Sequence, residues 1–264
     1  MPITAFAAMS LILANCASAA PFIVAHRGAS QDAPENTLPA FELAWKQGAD
    51  AIEGDFHLTS DGKLVCIHDA DTKRVTGVPK VVAKTSLEEL RALDAGAWFK
   101  PEWKGTRLPT FAEVAATVPP AGKFYVEIKS GPRTVPVVVR EIGKAKLKPS
   151  QVVIISFDKA AIAESKKLAP DIRAFWLSSF KDTSPLDPSA DSVISTLRAI
   201  KADGFSSKAD KRIDAAFVAR VRDAGFEYHC WTVDDPKMAR KFLGLGAGSV
   251  TTNRPAFLRA GLAE

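Results

Sequence analysis

At 264 residues, with 47% hydrophobic and 25% charged residues, the chain has globular composition and enough length for one substantial domain. Its net charge of +5 is mild and contains no run of five or six like charges, so no nucleic-acid partner is expected. No period of 20 to 50 residues recurs, which excludes solenoid and other repeat architectures.

Residues 1–20 carry no charged side chain, hold an apolar stretch from Ala5 to Ala14 and end in Ala17-Ser18-Ala19. That pattern predicts a signal peptide cleaved near Ala19 or Ala20, leaving one domain over 21–264 in the periplasm or outside the cell. No stable membrane insertion of the mature chain is expected, because the segment is short and soon followed by Pro21. Leu13-Ala14-Asn15-Cys16 is a faint lipoprotein box, with Asn15 a poor residue before a modified cysteine. Cys66 and Cys230 lie in apolar runs and read as two buried thiols rather than a bridge.

Beyond the leader, short β-branched runs alternate with longer amphipathic ones. Strands are predicted at Phe22–Ala25, Ala51–Asp55, Phe124–Ile128, Val152–Ser156, Ala174–Leu177, Gly204–Ser206, Glu227–Thr232 and Gly248–Thr251. Helices are predicted at Leu38–Gln47, Val135–Lys146, Lys159–Leu168, Ser192–Lys201, Ile213–Asp223 and Pro236–Leu243, two of them followed by Gly48 and Gly225. Eight such strands, with no glycine-rich nucleotide loop, favour a TIM-type (βα)8 barrel over an open doubly wound sheet. Residues of about 70–120 break the alternation and read as a small insertion beside the barrel mouth, after a further strand at Leu64–His68. Within it, Ser86-Leu87-Glu88-Glu89 reads as a capped helix start, and Thr110–Ala116 as another helix.

The residues with chemical potential fall at strand ends, where a barrel presents its active face. His26-Arg27-Gly28 ends the first strand: a histidine, a guanidinium suited to bidentate phosphate binding, and a glycine that permits close backbone approach. Glu53 and Asp55 are two residues apart and share a face. Facing inward they would repel unless a cation lay between them, and hard oxygen ligands favour Ca²⁺ or Mg²⁺. Glu127 and Lys129 repeat the spacing, as a third acid and a lysine for a substrate anion, or else as a buried ion pair. His68 ends the extra strand and pairs with His26 as an acid and a base. His57 leads into a turn and His229 sits mid-strand, so neither is assigned a role; Trp231 walls the pocket or packs in the core. Ser130-Gly131-Pro132-Arg133 offers a generic phosphate-facing loop.

Together, His26-Arg27-Gly28, Pro34-Glu35-Asn36-Thr37, Glu53-x-Asp55, Thr59-x-Asp61-Gly62, Val65-x-x-His68-Asp69, Glu127-x-Lys129 and Trp231-Thr232-Val233 resemble the glycerophosphodiester phosphodiesterase family, in its secreted or periplasmic bacterial form. The resemblance spans residues 22 to 258. It implies a TIM-type barrel and one divalent cation, Ca²⁺ or Mg²⁺, held by Glu53, Asp55 and Glu127. It further implies His26 and His68 as the acid–base pair, Arg27 and Lys129 on the phosphate, and Glu35 and Asn36 supporting the site or capping the following helix. The implied reaction is hydrolysis of small-molecule glycerophosphodiesters to sn-glycerol 3-phosphate and an alcohol, in glycerophospholipid and glycerol metabolism. Thr252-Asn253-Arg254-Pro255 departs from the Thr-Asp-x-Pro frequent in that family; since Asn253 matches no metal or acid–base position, the departure bears on the rim or on specificity. The alternatives are a lysophospholipase D-like lipid phosphodiesterase and a non-catalytic glycerophosphate-binding module.

Overall fold

The computed structural model describes residues 21–183 and 185–264; the expected signal peptide and Cys16 lie outside them. Among the described residues nine strands form one sheet: β1 (Ile23–Ala25), β2 (Ala51–Leu58), β3 (Leu64–Cys66), β4 (Lys123–Ile128), β5 (Val152–Ser156), β6 (Arg173–Ser178), β7 (Gly204–Lys208), β8 (Glu227–Trp231) and β9 (Val250–Thr252). Their order is β1-β9-β8-β7-β6-β5-β4-β2-β3, and β1 also pairs with β2, so eight parallel strands close on themselves. β3 stands outside the ring, antiparallel to β2. The fold is therefore the expected (βα)8 barrel.

The barrel follows from burial on both faces of each strand. Outward residues such as Ile52, Phe56, Phe124 and Val126 meet the helices in one large core. Inward ones such as Val24, Ala51, Tyr125, Val153 and Phe175 fill the barrel interior. The surrounding helices include α1 (Leu38–Lys46), which starts where the Thr37 side chain accepts from the Ala40 amide. Two short helices follow, α2 (Lys73–Thr76) and α3 (Leu87–Arg91), then α4 (Phe111–Ala116), and both α3 and α4 begin with capping boxes, Ser86 with Glu89 and Thr110 with Glu113. The ring continues through α5 (Val135–Lys144), α6 (Lys159–Leu168), α7 (Ala190–Ala199), α8 (Ala215–Asp223) and α9 (Pro236–Gly244). A helix missing from the sequence reading, α10 (Pro255–Ala263), ends the chain with a proline in its first turn.

The segment between β3 and β4 builds its own small core from Val65, Ile67, Val75, Val82, Leu87, Leu90, Ala95 and Leu108. Its last helix, α4, packs between α1 and α5 and thus takes the place of the outer helix between β2 and β4. None of the described helices is long and apolar enough to cross a membrane.

Candidate active site

The carboxyl ends of the strands surround a cavity of about 230 Å³. Seven of the eight residues singled out in the sequence line it: His26, Arg27, Glu53, His68, Glu127, Lys129 and Trp231. The eighth, Asp55, lies beside Glu127 in the β2–β4 register and completes a carboxylate group with Glu53 and Glu127, with one oxygen from each within 4.8 Å of the others. The period-two reading holds: along β2 the odd residues turn inward, whereas an added Cβ on Gly54 would meet Phe41 on the helix side.

The cavity has two kinds of wall. Its ionic groups come from β2 and β4 and from the residues that follow β1, β3 and β4; its apolar groups, Ile155, Phe157, Leu177 and Trp231, come from β5 and the residue that follows it, β6 and β8. Phe157 and Trp231 meet edge to face at 5.5 Å between ring centres. Trp231 is anchored by donating from Nε1 to the Ser206 carbonyl, 3.1 Å away.

The three acids are all buried. Asp55 is held well below the ordinary carboxylate range: burial opposes its charge, but Lys129 at 3.4 Å and Arg27 Nε at 3.2 Å outweigh it. Burial, with the negative charge of Asp55, instead pushes Glu127 up to about 8 and Glu53 well above its usual range. Glu53 Oε1 is buried without any hydrogen bond, and Asp55 Oδ1 has only the Lys129 ammonium at 3.4 Å. An orphaned carboxylate oxygen beside two further acids, with Glu53 and Glu127 both pushed toward holding a proton, fits a hard divalent cation.

Arg27 takes a left-handed conformation, φ 56°, that is costly for a side chain of this size. Its amide donates to Glu53 Oε2 at 2.9 Å and its Nη1 to Glu35 Oε1 at 2.9 Å, which hold it there. Asn36, also left-handed, donates to Asp55 Oδ2 at 2.8 Å and accepts the Asp55 amide. Asn36 thus orients an acid, and the helix cap falls to Thr37. Lys129 donates to Glu127 Oε1 at 2.8 Å, so both readings of the pair apply: it is an ion pair and it faces the cavity.

Both site histidines are pinned at Nδ1. His68 donates to Asp69 Oδ1 at 2.7 Å. His26 Nδ1 lies 2.7 Å from Asn253 Oδ1; the Asn253 amide nitrogen donates to Asp234 Oδ2, so its oxygen faces His26 and accepts. Asn253, just after β9 at the barrel rim, therefore contacts the acid–base candidate itself, brought there by the β1–β9 pairing. Burial, then the nearby Arg27 charge, lowers the His26 pKa to about 4. His57 is drawn in too, with Nδ1 2.9 Å from Ser130 Oγ and Nε2 3.0 Å from the His68 carbonyl; Ser130 therefore braces a histidine. His229 stacks on Phe175 at 4.3 Å in the barrel interior and bonds Ser249. Glu35, expected from the sequence to support the site, and Asp69, part of the His68 motif, are joined behind the cavity by Arg74, which sequence reasoning missed; the three form one ionic network.

Comparison with known proteins points one way. Residues 26–257 match the model of the glycerophosphoryl diester phosphodiesterase family. A glycerophosphodiester phosphodiesterase of Bacillus subtilis is 33% identical over 250 residues, 88% of this chain and 83% of its own. One from Caldanaerobacter subterraneus is 31% identical over 89% of this chain and 95% of its own. A solved phosphodiesterase of Oleispira antarctica, in complex with the product sn-glycerol-3-phosphate, superposes with a TM-score of 0.83 and 26% identity, covering 93% of this chain and 98% of that one.

Proposed function

The chain belongs to the glycerophosphoryl diester phosphodiesterase family, its activity is glycerophosphodiester hydrolysis, and from that premise we propose how its own residues carry the reaction. The substrate is a small glycerophosphodiester, and the products are sn-glycerol 3-phosphate and an alcohol. The observation that carries the reading is the convergence, around one cavity, of two lining carboxylates with a third beside them, two cationic side chains and two histidines with Nδ1 occupied.

Glu53, Asp55 and Glu127 would hold one divalent cation, Ca²⁺ or Mg²⁺. When bound, it supplies Lewis-acid charge to the phosphoryl oxygens. Arg27 and Lys129 hold the phosphodiester anion and stabilise charge developing on it. Trp231 and Phe157 form an apolar surface for the organic part. The partners of the histidines divide their work. His26 leans on a neutral amide and is uncharged at pH 7, so its free Nε2 takes a proton from the nucleophile. His68 leans on the Asp69 carboxylate, which fixes its ring through Nδ1, and from Nε2 it delivers a proton to the departing alkoxide as the P–O bond breaks. The nucleophile is water or the neighbouring glycerol 2-hydroxyl; a cyclic phosphate trapped early in the time course identifies the latter.

The test is release of sn-glycerol 3-phosphate from glycerophosphocholine and glycerophosphoethanolamine, with and without chelator, beside His26→Ala and His68→Ala. Each variant is expected to lose at least the ~10²-fold typical of removing an acid or base. Near-wild-type rates in both would sink the proton-transfer roles. Turnover of lysophospholipid in place of the small diesters would favour the lipid reading, and tight binding without product the binding-module reading. The cavity's volume of about 230 Å³ favours the small substrates, since drug-sized ligands fill about 300–1,000 Å³.

A further inference from the structure

Arg74 lies outside the cavity lining, on the short helix α2 of the inserted segment. Its guanidinium nonetheless joins two groups that touch the site. Nε donates to Asp69 Oδ2 at 2.6 Å, and Asp69 Oδ1 holds His68 Nδ1. Nη1 and Nη2 grip the Glu35 carboxylate at 2.9 and 2.8 Å, and Glu35 Oε1 in turn holds Arg27 Nη1 at 2.9 Å. The result is a continuous chain of charges, Arg27–Glu35–Arg74–Asp69–His68, between the residue assigned to the phosphate and the residue assigned to the leaving group.

The inserted segment is built to present this side chain. Val75, the next residue, is buried in the small core of the insertion, which fixes the α2 backbone. Thr72, before α2, is wholly buried and donates to the Val78 carbonyl, closing the loop on the other side of the helix. Trp98, from further along the insertion, lies 5.9 Å from the guanidinium across its ring face. Three carboxylate oxygens on two different acids are served by one planar fork. A lysine ammonium, a single point of charge, cannot reproduce that geometry.

We propose that Arg74 is a positioning residue that sets the orientations of His68 and Arg27 together, and that delivering it is what the insertion contributes to the reaction. The inference rests on the roles assigned above to His68 and Arg27. Acting through both, Arg74 affects turnover by way of Asp69 and His68, and substrate binding by way of Glu35 and Arg27.

The experiment compares steady-state kinetics of Arg74→Ala, Arg74→Lys, Asp69→Asn and Glu35→Gln, with Lys73→Ala as a control from the same helix. Arg74→Ala is expected to lower kcat/KM by about 10- to 100-fold, the range for a displaced catalytic group, with kcat down and KM up. Asp69→Asn is expected to change mainly kcat, and Glu35→Gln mainly KM. Adding Arg74→Ala to Asp69→Asn lowers kcat by less than it does alone, because the two share one path. Millimolar guanidinium should restore part of the lost turnover, whereas sodium chloride at equal ionic strength should not. Arg74→Lys is expected to remain well below wild type; it carries the test if the alanine variant loses its melting transition. Wild-type kcat and KM in Arg74→Ala, full recovery in Arg74→Lys, or no response to guanidinium would each overturn the proposal. A wild-type chain that cleaved no glycerophosphodiester would overturn the functional reading instead, and the two failures are thereby distinct.

Discussion

Gly28 carries a cost that the structure allows to be worked through. It follows His26 and Arg27, adopts φ +82°, and packs so tightly on α1 that an added Cβ would lie 2.5 Å from the Ala40 carbonyl carbon and 2.7 Å from its oxygen. The obstacle is backbone, and the Ala29 amide donates to that same oxygen at 2.9 Å, so the loop cannot lift without losing a hydrogen bond. Gly28→Ala thus incurs the left-handed penalty of about 1–2 kcal/mol together with an overpacking cost of about 1–3 kcal/mol. Gly62, at φ +70° with nothing within 4 Å of an added Cβ, isolates the first cost. At about 2–4 °C per kcal/mol for a chain of this size, Gly28→Ala should melt roughly 5–15 °C lower and Gly62→Ala only a few degrees lower. Relief of the clash moves His26 and Arg27, and a shift of about 1 Å at reacting groups costs on the order of 10²-fold in rate. Thermal unfolding and glycerophosphodiester turnover of the two variants test this. Equal melting temperatures, or full activity in Gly28→Ala, would refute the claim that contact with Ala40 positions the loop.

Two further outcomes follow from the buried charges. Millimolar Ca²⁺ or Mg²⁺ should raise the melting temperature of the chelator-stripped protein, while Glu53→Gln, lacking one of the three carboxylates, should gain much less; an equal gain would remove Glu53 from the cation site. His26 gives a pH dependence with a definite sign. Its pKa is about 4 in the fold against 6.5 ordinarily, so the native state excludes a proton that the unfolded chain accepts. The penalty begins as pH falls below 6.5 and stops growing below about 4. Between pH 7.5 and 5.5, wild type should therefore lose about 1 kcal/mol more stability than His26→Gln in urea titrations, and parallel curves would contradict it.

The chain's own pattern revealed the barrel because β-branched runs at strand spacing persist through eight units, and it located the site because period two puts Glu53 with Asp55 and Glu127 with Lys129 on inward faces. Element ends were less legible: α7 starts at Ala190, capped by Ser189, two residues before the periodicity announces it. Helix α10 escaped although Pro255 opens it and Leu258 and Leu262 share a face, since its apolar stripe is short. Asn253 and Arg74 escaped for a different reason. Each acts through a partner distant in sequence, Arg74 on Glu35 across 39 residues and Asn253 on His26 across 227, and such distances are bridged only by tertiary structure.

The hydrogen bond between His26 and Asn253 has a temporal meaning. Every acid, base and cation assigned to the reaction is encoded between residues 26 and 129, so a nascent chain carries the whole reactive set when half of it has yet to be made. It cannot orient His26 until β9 arrives and docks beside β1, the event that also closes the ring. Catalytic competence is thereby tied to the slowest kind of contact a chain can form, one between its two ends, and partially synthesised or C-terminally clipped molecules remain silent toward the diesters around them.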